Sequence, residues 1–183
     1  RREHEAGLSW ERYLAAHATR TAAWGPHIAN AALTGPQREL LGSFTRRMPV
    51  LVLTGAWCGD CAVQCPMLAA IGAACPAAQV RFLEQAQHRE LAERVRINAG
   101  TRVPTVLWCA EDYEFCSMLG DRTLARYRAM AARQLGGGPE GAHPVRLGED
   151  ALHQVGDLAQ GRDRLPGCAH AASLGTSTDG GET

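Results

Sequence analysis

Residues 49–54 read PVLVLT, an unbroken apolar run closed by Pro49 on one side and Gly55 on the other. A strand with one wet face alternates polar and apolar residues, so a short continuous run rich in valine predicts a strand covered on both faces. The next stretches narrow the choice. Residues 58 to about 73 read as a helix with Pro66 near its start, QVRFLE (79–84) as a second strand, and HRELAERVR (88–96) as a second helix. Strand, helix, strand at this spacing is the parallel crossover unit. VPTVLWC (103–109) and EFCSML (114–119) are joined by AEDY, too short for a crossover and right for an antiparallel hairpin. The expected class is therefore α/β, with a central mixed sheet flanked by helices.

Flanking helices are legible on either side. Ser9 can cap a helix over residues 8–17 that places Trp10, Tyr13, Leu14 and His17 on one stripe, read as core packing. TGPQRELLGSFTRRM opens with Thr34 and Pro36 and repeats Leu40, Leu41 and Phe44 at helical spacing. DRTLARYRAMAARQL (121–135) predicts a helix capped by Asp121, with Leu124, Tyr127 and Met130 inward and Arg122, Arg126 and Arg133 forming a solvated face. Beyond it, GGGPEGAHP has linker composition, GEDALHQVGDLA (148–159) is read as a short helix, and the last stretch is too poor in large apolar residues to order itself. The organisation expected is a helical extension over 1–33, a domain over 34–135, and a Gly/Pro-rich linker with a mostly flexible tail over 136–183.

Charge sets limits on partners. Nineteen basic residues, all arginine, balance nineteen acidic ones among 183 residues. No domain-wide positive field is available to draw nucleic acid or an anionic membrane, and neither is expected as a partner. No apolar run approaches a membrane span, and the opening RREHEAGLSW lacks the apolar block of a secretory signal. The first residue is arginine, which leaves a removed leader open. Seven cysteines, an odd number, argue against a fully paired disulfide framework and for mostly reduced thiols. A cytoplasmic monomer is the expectation.

TGAWCGDCAVQCP (54–66) concentrates three of those cysteines where the buried strand meets the following helix. Two chemistries compete for them. In a redox reading, Cys58 lies at a helix N-terminus, where unpaired N–H groups and the helix dipole favour the thiolate, the attacking form. Cys61, one turn on, can attack the resulting mixed disulfide from behind. Gly59 lets a substrate backbone approach, while Asp60 supplies a negative charge that resists a deep fall in the Cys58 pKa. In a metal reading, Cys58, Cys61 and Cys65 would be ligands, but a fourth ligand or a second closely spaced pair is missing. Cys65 is read as a small packed residue, with an auxiliary thiol as the sharper alternative. Cys109 and Cys116, on the two arms of the hairpin, could share a face; buried reduced thiols are the simpler reading, and a disulfide between them the other. Cys75 ends a helix before Pro76, and Cys168 lies in the tail.

Other schemes fit less well. A cysteine hydrolase needs a histidine held against its nucleophile, and the histidines lie mostly in the terminal segments or, like His88, at a helix start where a capping role suffices. GGGPEG lacks the lysine and preceding strand of a phosphate loop.

Trp57, Cys58, Gly59 and Cys61 match the W-C-G-x-C signature of the thioredoxin family, which residues 34 to about 135 resemble, and Pro66 falls where family members carry a helix-kinking proline. Val103, Pro104 and Thr105 match the family's second hallmark, an apolar-Pro-Thr triplet whose proline is cis and lies against the redox pair. A thioredoxin-like fold with an N-terminal helical extension is what the resemblance implies. It also implies dithiol–disulfide exchange, with Cys58 as nucleophile, Cys61 as resolving thiol, Trp57 shaping the rim, and Val103, Pro104 and Thr105 docking the substrate. Disulfide-containing client proteins and an electron-donating reductase or small thiol would be its partners, and no cofactor is implied. The rival from another class is a binding module that keeps the fold without turnover. One departure stands out. The family usually places a buried aspartate six residues before the first cysteine, as a candidate base for the second, and here that position is Val52. Asp60, a water, or Glu84 at the end of the neighbouring strand is expected to take over.

Overall fold

The computed structural model describes residues 1–135. The linker, the helix read at 148–159 and Cys168 lie outside the described residues. Five short helices come first, α1 (Arg2–Ala6), α2 (Trp10–Ala16), α3 (Ala18–Thr21), α4 (Gly25–Asn30) and α5 (Gly35–Gly42). They lead into β1 (Met48–Thr54), α6 (Gly59–Ala74), β2 (Ala78–Glu84), α7 (Arg89–Arg94), the hairpin β3 (Thr105–Cys109) and β4 (Phe115–Gly120), and α8 (Leu124–Gln134). The four strands form one mixed sheet in the order β2-β1-β3-β4. β1 runs parallel to β2 and antiparallel to β3, and β3 pairs antiparallel with β4. The crossover and the hairpin read from the sequence are both present.

β1 shows why PVLVLT has no polar gaps. Val50 and Val52 join one core cluster with Phe82, Val106 and Trp108, against Leu68 and Ile71 of α6. Leu51 and Leu53 point the other way, into a smaller cluster with Leu83, Leu107 and Ala92 of α7. Every residue of β1 after Met48 is buried, as a central strand between two covered faces requires.

The N-terminal helices contribute to the larger cluster. Tyr13, Trp24 and Leu33 are buried in it together with Leu41. Trp10 packs its ring 5.1 Å from Phe82 and 6.1 Å from Trp24, contacts of the kind that add about 0.5–1.5 kcal/mol beyond area burial. The Ser9 and Thr34 caps read from the sequence both form, the latter as a full capping box with Gln37. Between α1 and α2 the chain touches the sheet itself: the Leu8 and Phe82 amides each donate to the other's carbonyl at 2.9 Å. Gly7 permits this approach, because a Cβ there would lie 2.6 Å from the Arg81 Cβ.

Two local expectations are corrected. The cap of α8 is Thr123, whose hydroxyl accepts from the Arg126 amide, and not Asp121. Starting the helix two residues later turns Leu124 and Tyr127 outward, 55% and 40% exposed, and Ala129 inward. His88 precedes α7 without a side-chain capping bond; its ring instead meets the Glu3 carboxylate at 2.8 Å.

Candidate active site

The loop from Gly55 to Cys58 carries the chain from the end of β1 into α6, and Cys58 is the N-cap of that helix. Its sulfur accepts from the Cys61 amide at 3.5 Å, so the thiol occupies the place a serine or aspartate fills in other helices. Cys58 is half-buried and Cys61 fully buried. Only Cys58 is open to an incoming disulfide. The Gly55 amide donates to the Cys61 sulfur at 3.4 Å from behind.

Across the groove, the loop before β3 brings Val103 to the same place. The Val103–Pro104 peptide is cis, and the Cys58 thiol donates to the Val103 carbonyl at 3.6 Å. Gly120 on β4 leaves room for this loop: a Cβ there would sit 2.6 Å from the Pro104 carbonyl oxygen. The Thr105 side chain is not at the rim. It is buried at the start of β3, where its hydroxyl donates to the Arg102 carbonyl at 2.8 Å and fixes the turn. Trp57 projects from the opposite side, 67% exposed, with its ring packed so closely on Gly55 that a Cβ there would lie 2.9 Å from it. The Gly59 position is open.

The electrostatics differ from the sequence expectation. The amides of Cys61 and Asp60 do pull the Cys58 pKa down, but contact with the Cys61 sulfur, followed by burial, outweighs them and holds it above the ordinary thiol range. Burial, foremost, pushes the Cys61 thiol up as well. With both thiols reduced, the sulfurs titrate as a coupled pair. Asp60 is not a free charge beside them. Arg122 Nε donates to one of its oxygens at 2.8 Å and Arg126 Nε lies 3.5 Å from the other. These two arginines, read from the sequence as a solvated face, therefore anchor α8 to the start of α6. Gln64 adds a buried bond, donating to the Asp121 carbonyl at 2.9 Å.

Behind the pair lies a second polar group. Glu84 pairs with Thr54 in the parallel ladder and is 5% exposed. Its Oε2 accepts from the Tyr13 hydroxyl at 2.6 Å and from the Ala56 amide at 3.1 Å. Its Oε1 is buried with no hydrogen-bond partner among the described residues. Burial, then the bond to Glu84, raises the Tyr13 hydroxyl far above its usual pKa and keeps it protonated as a donor. Thr54 Oγ1 lies 3.4 Å from the sulfur of Cys65, which is itself fully buried. Among the described residues no group of three His, Cys, Asp or Glu side chains is placed to hold a metal ion. Sequence reasoning named Glu84 but not Tyr13 as its donor, and it missed Arg122 and Arg126 as partners of Asp60. Their separations of 71 and 62 residues leave no local signal.

Solved structures share this fold, among them the two that follow. An HIV epitope-scaffold matches with a TM-score of 0.61 at 18% identity, over 86% of this chain and 95% of its own. A protein of unknown function from Pseudomonas aeruginosa matches with a TM-score of 0.58 at 20% identity, over 85% of this chain and 92% of its own. No curated protein matches the chain. A family model described as thioredoxin, however, covers residues 7–132, taking in the helices that carry Tyr13 as well as the sheet and the cysteine pair. With a mixed sheet flanked by helices and a match over well more than half its length, the chain belongs to the thioredoxin family.

Proposed function

We propose that this protein is a thiol–disulfide oxidoreductase that reduces disulfides in client proteins. The observation that carries the reading is the accessible Cys58 sulfur at the start of α6, with buried Cys61 one turn behind it and the Val103 carbonyl 3.6 Å away. Cys58, as thiolate, attacks one sulfur of the client disulfide; a Cys58–client bond forms and the other client sulfur leaves as a thiol. Cys61 then loses its proton and attacks Cys58. The mixed disulfide breaks, the second client thiol departs, and a Cys58–Cys61 disulfide remains, two electrons having passed to the client. A reductase or small thiol returns them.

The client segment would lie between Trp57 and the Val103–Pro104 backbone, which can offer main-chain hydrogen bonds to an extended strand. Gly59 keeps that approach open. The second step needs an acceptor for the proton of a buried thiol, and Glu84 suits the role better than Asp60: its Oε1 has no hydrogen-bond partner among the described residues, whereas both Asp60 oxygens face arginines. No helix among the described residues is long and apolar enough to cross a membrane.

Insulin reduction by dithiothreitol tests the reading. The parent should accelerate precipitation and Cys58→Ser should not; a parent no faster than dithiothreitol alone would leave a binding module. Cys61→Ser should stall on its clients as mixed disulfides joined through Cys58.

A further inference from the structure

A second pair of thiols lies at the other end of the sheet. Along β3 and β4 the register pairs Trp108 with Ser117 but Cys109 with Phe115, so one extra residue, Cys116, enters the β4 side. A bulge of this kind sets two residues opposite one. Cys109 follows Trp108 and Cys116 precedes Ser117, so the two cysteines flank the last regular pair before the slip. The residue facing Cys109 is Phe115, and Cys116 is its neighbour; the two thiols lie near enough for their charges to interact.

Both cysteines line one cavity of about 280 Å³, together with Phe44, Met48, Arg46 and Glu111. Cys116 is half-buried, its sulfur 3.7 Å from the Glu114 carbonyl, and it lies near enough to the Arg46 guanidinium for their charges to interact. Cys109 is 9% exposed; burial, followed by the charge of Cys116, keeps its thiol protonated longer. The two differ in exposure as an entry thiol and a second thiol would. Met48 opens β1 and Thr54 closes it, so the cavity is about 20 Å from the Cys58 pair at about 3.3 Å per residue.

We propose that Cys109 and Cys116 form a second dithiol–disulfide centre, which takes small disulfides admitted by this cavity. The Cys116 thiolate attacks one sulfur of the small disulfide, forming a mixed disulfide and releasing one small thiolate. Cys109 gives up its proton and attacks the Cys116 sulfur, and the second small thiol leaves. A Cys109–Cys116 bond results, and the two electrons have reduced one small disulfide to two thiols.

Oxidised glutathione is the probe, applied to the full chain carrying Cys58→Ser and Cys61→Ser, with remaining thiols alkylated before trypsin. Cys109 and Cys116 fall in one tryptic peptide, residues 103–122. The expected product is that peptide two hydrogens lighter, unalkylated, and restored by dithiothreitol. A peptide alkylated at both cysteines, one carrying a stable glutathione, or a bridge to any other cysteine overturns the proposal. Adding Cys109→Ser should stall the reaction with one glutathione on Cys116. Its absence there overturns the order of attack and with it the centre.

Discussion

The Cys58 loop is held from two sides that differ in kind. From behind, Tyr13 of α2 and Glu84 of β2 meet in the interior, at 2.6 Å and almost without solvent. From the front, Arg122 and Arg126 grip Asp60, half-buried at the edge of the domain. A buried carboxylate loses heavily if its donor is removed, because water cannot replace it, whereas a half-buried ion pair that still touches solvent recovers part of its solvation. The rear contact should therefore govern stability and proton transfer, and the front contact should mainly orient α8.

Tyr13→Ala is the hardest test of this asymmetry. Removing a fully buried ring costs about 3–5 kcal/mol, and stripping the donor from Glu84 adds to it. Urea denaturation should show that loss; a change under about 1 kcal/mol would place the rear contact on a par with the front one. Glu84→Gln keeps the shape and removes the base. It should slow release of a thiol from a preformed Cys58 mixed disulfide at least about tenfold at neutral pH, a modest figure for general base catalysis. Stopped-flow kinetics of that single step, followed against pH, gives the answer.

A titrating group lies at the other end of β2, beside Gln79 and Tyr113. Burial, chiefly, lowers the pKa of His4, whose ring donates to the Gln79 carbonyl at 2.7 Å. A histidine buried neutral binds its proton more readily when unfolded, so its contribution is present above about pH 6.5 and lost as pH falls through the lower folded value. Urea midpoints at pH 7.5 and 5.5 should diverge more in the parent than in His4→Asn, the parent losing more stability at the lower pH. Least of all, Asp60→Asn should cost about 0.2–1 kcal/mol and leave the pH profile of reduction in place. A displaced profile would return Asp60 to the list of bases.

Strands, crossover and hairpin were legible because each is written in a contiguous stretch: PVLVLT could only be a doubly covered strand, and AEDY is too short for anything but a hairpin. The cysteine pair and its facing loop were legible from their motifs. What stayed hidden depends on elements distant in sequence. Tyr13 reads as one apolar position on a stripe, and nothing local marks its hydroxyl as the donor to Glu84. Arg122 and Arg126 sit in an arginine-rich stretch whose bland reading is solvation, and the two-residue offset between Asp121 and the true cap at Thr123 changed which residues of α8 turn inward. That Cys109 and Cys116 could share a face was open to the sequence, but the register slip that sets Cys109 opposite Phe115 is not encoded in the spacing of apolar residues.

The contact between Leu8 and Phe82 bears on how this molecule keeps to itself. β2 is a border strand of the sheet, and a bare border offers its main-chain amides and carbonyls to any passing extended chain. By tying up both polar groups of Phe82 midway along that border, the segment between the first two helices interrupts the template where it would otherwise run longest. Shortening the chain past Leu8 would thus do more than trim a terminus: it would uncover a sticky seam, and self-association should rise before the redox site is touched.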